Sequence, residues 1–194
     1  MTVNIEKIAQ RKWTQNNIAD YKNCISVDGE GFRCSLYVSG CLFNCPGCYN
    51  KSIQNFKVGR PYTQELEDKI ISDLSKPYIQ GLTFLGGEPM LNPDICIKLG
   101  ERFRKEFGHS KDIWSWTGYR WEELMKSISI HSPMLGVKQE KLLNLLDVLV
   151  DGRYIEAQKD TTGTIKYRGS WNQRIINVPE TLKTHKIVEH TEFY

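Results

Sequence analysis

The chain has 194 residues, of which 40% are hydrophobic and 25% charged, with 15 glycines and 7 prolines; this suits one compact domain and excludes disordered and collagen-like classes. Lysine plus arginine exceeds aspartate plus glutamate by 26 − 23 = +3, with no dense basic tract, so no nucleic-acid partner is expected. The opening MTVNIEKIAQRKW carries no apolar signal stretch, and no run of about 18 apolar residues occurs anywhere, so the chain reads as cytoplasmic with no membrane partner.

Residues 1–33 are polar and irregular and contain Asp28-Gly29-Glu30-Gly31, which predicts an amino-terminal arm packing on the core. Arg33 to Ser39 (RCSLYVS) reads as a buried strand that runs into a cysteine-rich loop. From Thr63 the apolar residues Leu66, Ile70, Ile71 and Leu74 share one helical stripe, and Pro77 ends the run. Ile79 to Leu85 is a second strand, ending in Gly86-Gly87-Glu88-Pro89. A helix over Pro93 to Phe107 follows, then a strand at Asp112 to Trp116, helices at Trp121 to Ser127 and Gln139 to Leu146, and a strand at Asp147 to Val150. Alternation at this spacing predicts an α/β fold with parallel strands and a ligand site beyond their carboxyl ends. A closed barrel of eight units typically needs about 250 residues, so an incomplete, partial TIM-like barrel is expected. The segment 179–194 gives no pattern.

The loop Cys41-Leu-Phe-Asn-Cys45-Pro-Gly-Cys48 places three thiols within eight residues. Three is the informative number. A structural zinc site takes four protein ligands, and the histidines at 109, 131, 185 and 190 form no second pair; Cys24, Cys34 or Cys96 could still close such a site. A 4Fe-4S cluster held by three cysteines leaves one iron open to a small molecule offering an amine and a carboxylate. A lone cysteine is usually a small core residue, which is the bland reading of Cys24, Cys34 and Cys96.

These motifs resemble a known family. CxxxCxxC after a first strand, followed one strand later by GGEP, is similar to the radical S-adenosylmethionine enzymes, and DGEGFRCSLYVSGC resembles the glycyl-radical-enzyme activases among them. CPGCYN, WTGY at Trp116 to Tyr119, VLVDG at Val148 to Gly152 and RGSWNQR at Arg168 to Arg174 narrow the resemblance to the activating proteins of anaerobic ribonucleoside-triphosphate reductases, over Ile18 to Val178. The resemblance implies a radical S-adenosylmethionine domain over 34–178 and a tail over 179–194. It further implies one 4Fe-4S cluster on Cys41, Cys45 and Cys48 and S-adenosylmethionine on its open iron. Reductive cleavage would then give a 5′-deoxyadenosyl radical that takes hydrogen from a reductase glycine. The implied partners are the reductase and a low-potential electron donor such as flavodoxin.

Within that resemblance, Gly86 and Gly87 take the methionine amino group with help from Glu88; read alone, a glycine pair after a strand is a tight turn. Many superfamily members carry an aromatic residue just before the third cysteine, where this chain has Gly47; Tyr49 beyond Cys48 is the candidate to pack beside adenine. Ser115 and Thr117 alternate on a strand, so both hydroxyls can point to one side, as ribose or carboxylate contacts or as plain core. Asp147 and Asp151 flank VLV and could reach the pocket rim, although a turn role suits Asp151 before Gly152 equally. Trp171 is a candidate interface anchor. The chemistry needs no acid-base residue. The alternatives are an activase of a pyruvate formate-lyase type enzyme, a radical enzyme acting on a small molecule, and a non-catalytic metal-stabilised module.

Overall fold

The structure is a computed structural model that describes residues 16–129 and 135–193. Its described residues form one seven-stranded sheet: β1 (Asn17–Ile25), β2 (Phe32–Val38), β3 (Arg60–Pro61), β4 (Ile79–Gly86), β5 (Asp112–Trp116), β6 (Val148–Asp151) and β7 (Arg174–Asn177), in the order β3-β1-β2-β4-β5-β6-β7. The central strands β2, β4, β5 and β6 pair in parallel. Antiparallel β1 and β3 extend one side and antiparallel β7 the other. The strands at the two ends, β3 and β7, do not pair, so this α/β sheet is an incomplete barrel, as expected from the chain length.

Helices α1 (Gln64–Leu74), α2 (Pro93–Phe107), α3 (Trp121–Ser129), α4 (Leu135–Leu143) and α5 (Val178–Thr184) connect or follow the strands. Thr63 starts α1 by accepting the Leu66 amide at 3.2 Å. Proline stands in the first turn of α2, where its missing N–H would have no helical partner. Leu36, Val38, Leu82, Phe84, Ile113 and Leu149 from the strands pack with Ile70, Leu74, Leu99, Phe103, Leu124 and Leu142 from the helices in one cluster. Trp114, Val148, Val150 and Ile175 form a second cluster on the other face, joined by Trp116 and Tyr167. Helices therefore cover one face of the sheet, and the opposite face holds its own aromatic layer.

Three sequence expectations change. Residues 17–25, expected as part of an irregular arm, are a strand of the sheet; polar Asp20, Lys22 and Asn23 hide its alternation, and pairing with β2 supplies the order. The helix expected over 139–146 is α4, which ends at Leu143. Beyond residue 179 the chain is organised, with Asn177 Oδ1 accepting the Glu180 amide at 3.0 Å to start α5. His131 lies outside the described residues.

Candidate cluster and cofactor site

Four loops meet at the carboxyl ends of the parallel strands: the cysteine loop after β2, Gly86-Gly87-Glu88 after β4, Thr117-Gly118 after β5 and Gly152-Arg153-Tyr154 after β6. Main-chain bonds join the first loop to the second and the third to the fourth. Gly87 N donates to Val38 O at 2.7 Å, Glu88 N to Gly40 O at 2.8 Å, Thr117 N to Val150 O at 2.9 Å and Gly152 N to Tyr119 O at 2.8 Å. Gly87 must be glycine for this approach, because a Cβ there would lie 2.4 Å from Gly40 O. Asn50 Nδ2 donates to Gly86 O at 3.0 Å and ties the segment after Cys48 to the same turn.

Cys41, Cys45 and Cys48 are half-buried free thiols. Burial pushes the Cys41 thiol up to about 12 and also raises Cys45, so metal binding here displaces protons. Among the described residues no three His, Cys, Asp or Glu side chains meet at the geometry of a single metal ion, as a structural zinc would demand at about 2.3 Å from each sulfur. Nor do the other cysteines supply a fourth ligand for one. Cys34 is buried on β2 with its thiol donating to Asn23 O at 3.4 Å, Cys96 is core in α2, and Cys24 is exposed on β1. A 4Fe-4S cluster takes each thiolate on a different iron, so three thiols four and three residues apart on one anchored loop suit it.

The loop itself is braced by aromatic contacts. Phe43 meets Tyr119 edge-on, with ring centroids 4.7 Å apart, and the Arg153 guanidinium lies 4.5 Å over the Phe43 ring. Gly47 adopts φ +70, and a Cβ there would fall 1.6 Å from Glu156 Oε2 and 3.3 Å from the Tyr154 ring. The space beside Gly47 is thus filled by Tyr154 and Glu156, whose side chains bond at 2.7 Å. Nothing in the local sequence of the cysteine loop announces these two residues. Tyr49, expected beside adenine, is fully exposed at the rim.

Ser115 and Thr117 do share a side, and it is the helix-covered one: Ser115 is paired in register with Phe84 and Leu149 of the main core. Ser115 is fully buried, and the Thr117 hydroxyl donates to Glu88 Oε1 at 2.8 Å. The opposite face of β5 carries Trp114 and Trp116. Glu88 is buried, and its carboxylate accepts from Met90 N, Thr117 Oγ1 and Gly118 N.

Asp147 and Asp151 stand at opposite ends of β6, which corrects the reading of Asp147 as a rim carboxylate. Asp147 at the amino end accepts the Ile113 amide at 2.7 Å and pairs with Arg104. Asp151 at the carboxyl end caps α3 through Trp121 N at 2.7 Å and pairs with Arg174. In the segment 168–174, Gln173 Oε1 accepts the Gly169 and Ser170 amides, Gln173 Nε2 donates to Gly152 O and Asn172 Nδ2 to Arg153 O. Trp171 alone projects outward, half exposed, from a loop that these bonds hold in place.

The chain is similar to known proteins along most of its length. Residues 27–176 match a family model described as a 4Fe-4S single cluster domain. The anaerobic ribonucleoside-triphosphate reductase-activating protein of Salmonella typhi is 44% identical over 152 residues, covering 76% of this chain and 89% of that protein. Its counterpart in Vibrio cholerae is 44% identical over 153 residues, covering 77% and 90%. The counterpart in Enterobacteria phage T4 is 38% identical over 154 residues, covering 78% and 88%.

Proposed function

The chain belongs to the anaerobic ribonucleoside-triphosphate reductase-activating proteins within the 4Fe-4S single-cluster family, and from that premise we propose how its residues divide the work. It is a radical S-adenosylmethionine activase with one 4Fe-4S cluster, and the reductase is its protein substrate. Cys41, Cys45 and Cys48 hold the cluster. Such a cluster, bound and reduced, would supply the electron for cleavage of S-adenosylmethionine to methionine and a 5′-deoxyadenosyl radical, and that radical would take a hydrogen atom from a glycine of the reductase. The protein positions the reactants and excludes water; no general acid or base is needed.

The observation that carries this reading is the anchoring of a three-thiol loop to a glycine-glycine turn by Gly87 N to Val38 O and Glu88 N to Gly40 O. Three cysteine ligands would leave one iron of such a cluster without a protein ligand, and the anchored turn brings backbone close to that loop. Gly86 and Gly87 present that backbone to the methionine end of the cofactor. Gly47, Cys48 and Tyr49 form the rim beside them, and Thr117 acts there through Glu88. Trp171 is the anchor for the reductase, since large aromatic side chains held on rigid loops dominate binding energy at interfaces. Six free cysteines suit a reducing compartment, the cytoplasm, where a low-potential donor such as flavodoxin supplies electrons.

Anaerobic reconstitution tests the reading. Brown protein that cleaves S-adenosylmethionine under reduction, and raises a glycyl radical signal by electron paramagnetic resonance when the reductase is added, is the expected result. Colourless protein retaining zinc overturns it, and a radical raised only on a pyruvate formate-lyase type partner overturns the choice of substrate.

A further inference from the structure

Glu88 combines deep burial with an unusual set of partners. Its residue is 1% exposed, and burial pushes the carboxyl up to about 7 despite three hydrogen bonds and the Arg153 charge that favour its ionised form. Those bonds come from two loops: Met90 N at 2.9 Å and Thr117 Oγ1 at 2.8 Å reach Oε1, and Gly118 N at 2.7 Å reaches Oε2. A carboxylate offers about four lone-pair positions, so most of its capacity is taken within the protein. Thr117 Oγ1 in turn accepts the Tyr119 amide at 3.1 Å, and the Tyr119 ring rests on Phe43 of the cysteine loop.

The main chain of Glu88 reaches the third loop. Its N–H donates to Gly40 O at 2.8 Å. Asn92 Nδ2 bridges Glu88 O at 2.9 Å and Gly40 O at 3.3 Å. A single buried residue is therefore bonded at once to the cysteine loop, to its own glycine turn and to the turn after β5. An apolar side chain would fill the same space without the desolvation penalty of a carboxylate, so the bonds themselves are what the carboxylate contributes.

Resting on the function proposed above, we propose that Glu88 is a positioning residue: it clamps the Gly86-Gly87 and Thr117-Gly118 backbones to the cysteine loop, and acts through those bonds without touching the ammonium group of S-adenosylmethionine. Direct contact and clamping differ in one measurable respect. A residue that contacts the ammonium group matters only to a ligand that has one, whereas a clamp matters to both.

The test is anaerobic binding of S-adenosylmethionine, and of its analogue lacking the amino group, to iron-loaded but unreduced full-length protein. Glu88→Gln places an amide N–H₂ against one of three donors and should weaken both ligands by the same factor, about tenfold, as for loss of a charged buried hydrogen bond. Iron content should match the wild type. Thr117→Val should weaken both ligands in parallel, Thr117→Ser should restore them, and the double variant Glu88→Gln with Thr117→Val should be within about twofold of the worse single one, because the two share a bond. Loss of affinity for S-adenosylmethionine alone, with the analogue unaffected, overturns the clamp. If Glu88→Gln does not fold, Thr117→Val decides: parallel losses support the clamp, and unchanged affinities overturn it. A wild type that takes up no iron overturns the functional reading instead, and the clamp with it.

Discussion

At the amino ends of the parallel strands the connecting segments are pinned by long cationic side chains, whereas at the carboxyl ends main-chain bonds and the buried Glu88 carboxylate join the loops around the thiols. Arg33, fully buried, donates to Glu30 O, Leu82 O and Thr83 Oγ1 and pairs with Asp112. Arg104 reaches Leu145 O and Gly108 O and pairs with Asp147, and Lys111 reaches Lys76 O and Ile79 O. The carboxyl ends instead use Gly87 N, Glu88 N, Thr117 N and Gly152 N. Cations fill space and satisfy carbonyls, which stabilises the fold and closes that end. Main-chain bonds hold loops together while leaving three thiols half-buried. The difference separates an end pinned by cations from the end that carries the three thiols.

The largest expected break in this comparison is at the thiols. Cys41→Ala, Cys45→Ala or Cys48→Ala should each abolish cluster-dependent radical formation while leaving the melting temperature of iron-free protein unchanged, measured by electron paramagnetic resonance and calorimetry. At the other end, Arg33→Met should remove roughly 3 kcal/mol of stability in chemical denaturation, because Asp112 loses its buried cation. Folded Arg33→Met protein should still take up iron as the wild type does. Loss of the cluster there would erase the division between the ends.

Gly87→Ala tests the main-chain side, since its Cβ would press on Gly40 O at 2.4 Å. Affinity for S-adenosylmethionine should fall by about tenfold or more, as for a strained loop costing 1–3 kcal/mol, and equal affinity would show that the close approach does not matter.

A smaller effect sharpens the stabilising side. Two buried carboxylates of α1 are each held by two cations and a tyrosine hydroxyl: Glu67 by Lys98, Arg102 and Tyr62, and Asp73 by Lys69, Lys76 and Tyr21. Burial raises both carboxyls, and these bonds outweigh it and leave them below their ordinary values of 4.5 and 3.8. A carboxyl lowered by folding stabilises fully above its unfolded value and progressively less as pH falls through the folded one. The stability gap between wild type and Glu67→Gln or Asp73→Asn should therefore shrink as pH falls below about 4, seen as converging denaturation midpoints; a constant gap would sink the assignment. Smallest of all, Ser115→Ala should change S-adenosylmethionine affinity by less than about twofold, because its hydroxyl faces the helices. A larger loss would return Ser115 to the ligand side.

Much of this molecule can be read locally. The helices α1 and α2 and the strands β2, β4 and β5 follow from apolar periodicity and from Thr63, Pro77, Pro93 and Gly108 as punctuation. The three thiols of Cys41, Cys45 and Cys48 stand within eight residues of one another and need no tertiary contact to be seen. Strand β1 escaped because five of its nine residues are Asp20, Lys22, Asn17, Asn23 and the half-exposed Tyr21, so its apolar alternation is too thin to see. Strand β7 lies among polar residues whose purpose is to bond Gly152, Arg153 and Asp151.

The sequence by itself determined the three thiols, the glycine pair one strand later and the order of strand and helix units, because each depends on residues near one another in the chain. Tertiary structure decided the faces and the partners. Alternation along β5 says that Ser115 and Thr117 share a side, but only pairing with β4 and β6 puts that side against the helices. In the same way Glu88 meets Thr117 and Gly118 only once β4 and β5 lie side by side. Register between strands is a long-range property: a shift of one residue exchanges the two faces while leaving every local pattern intact.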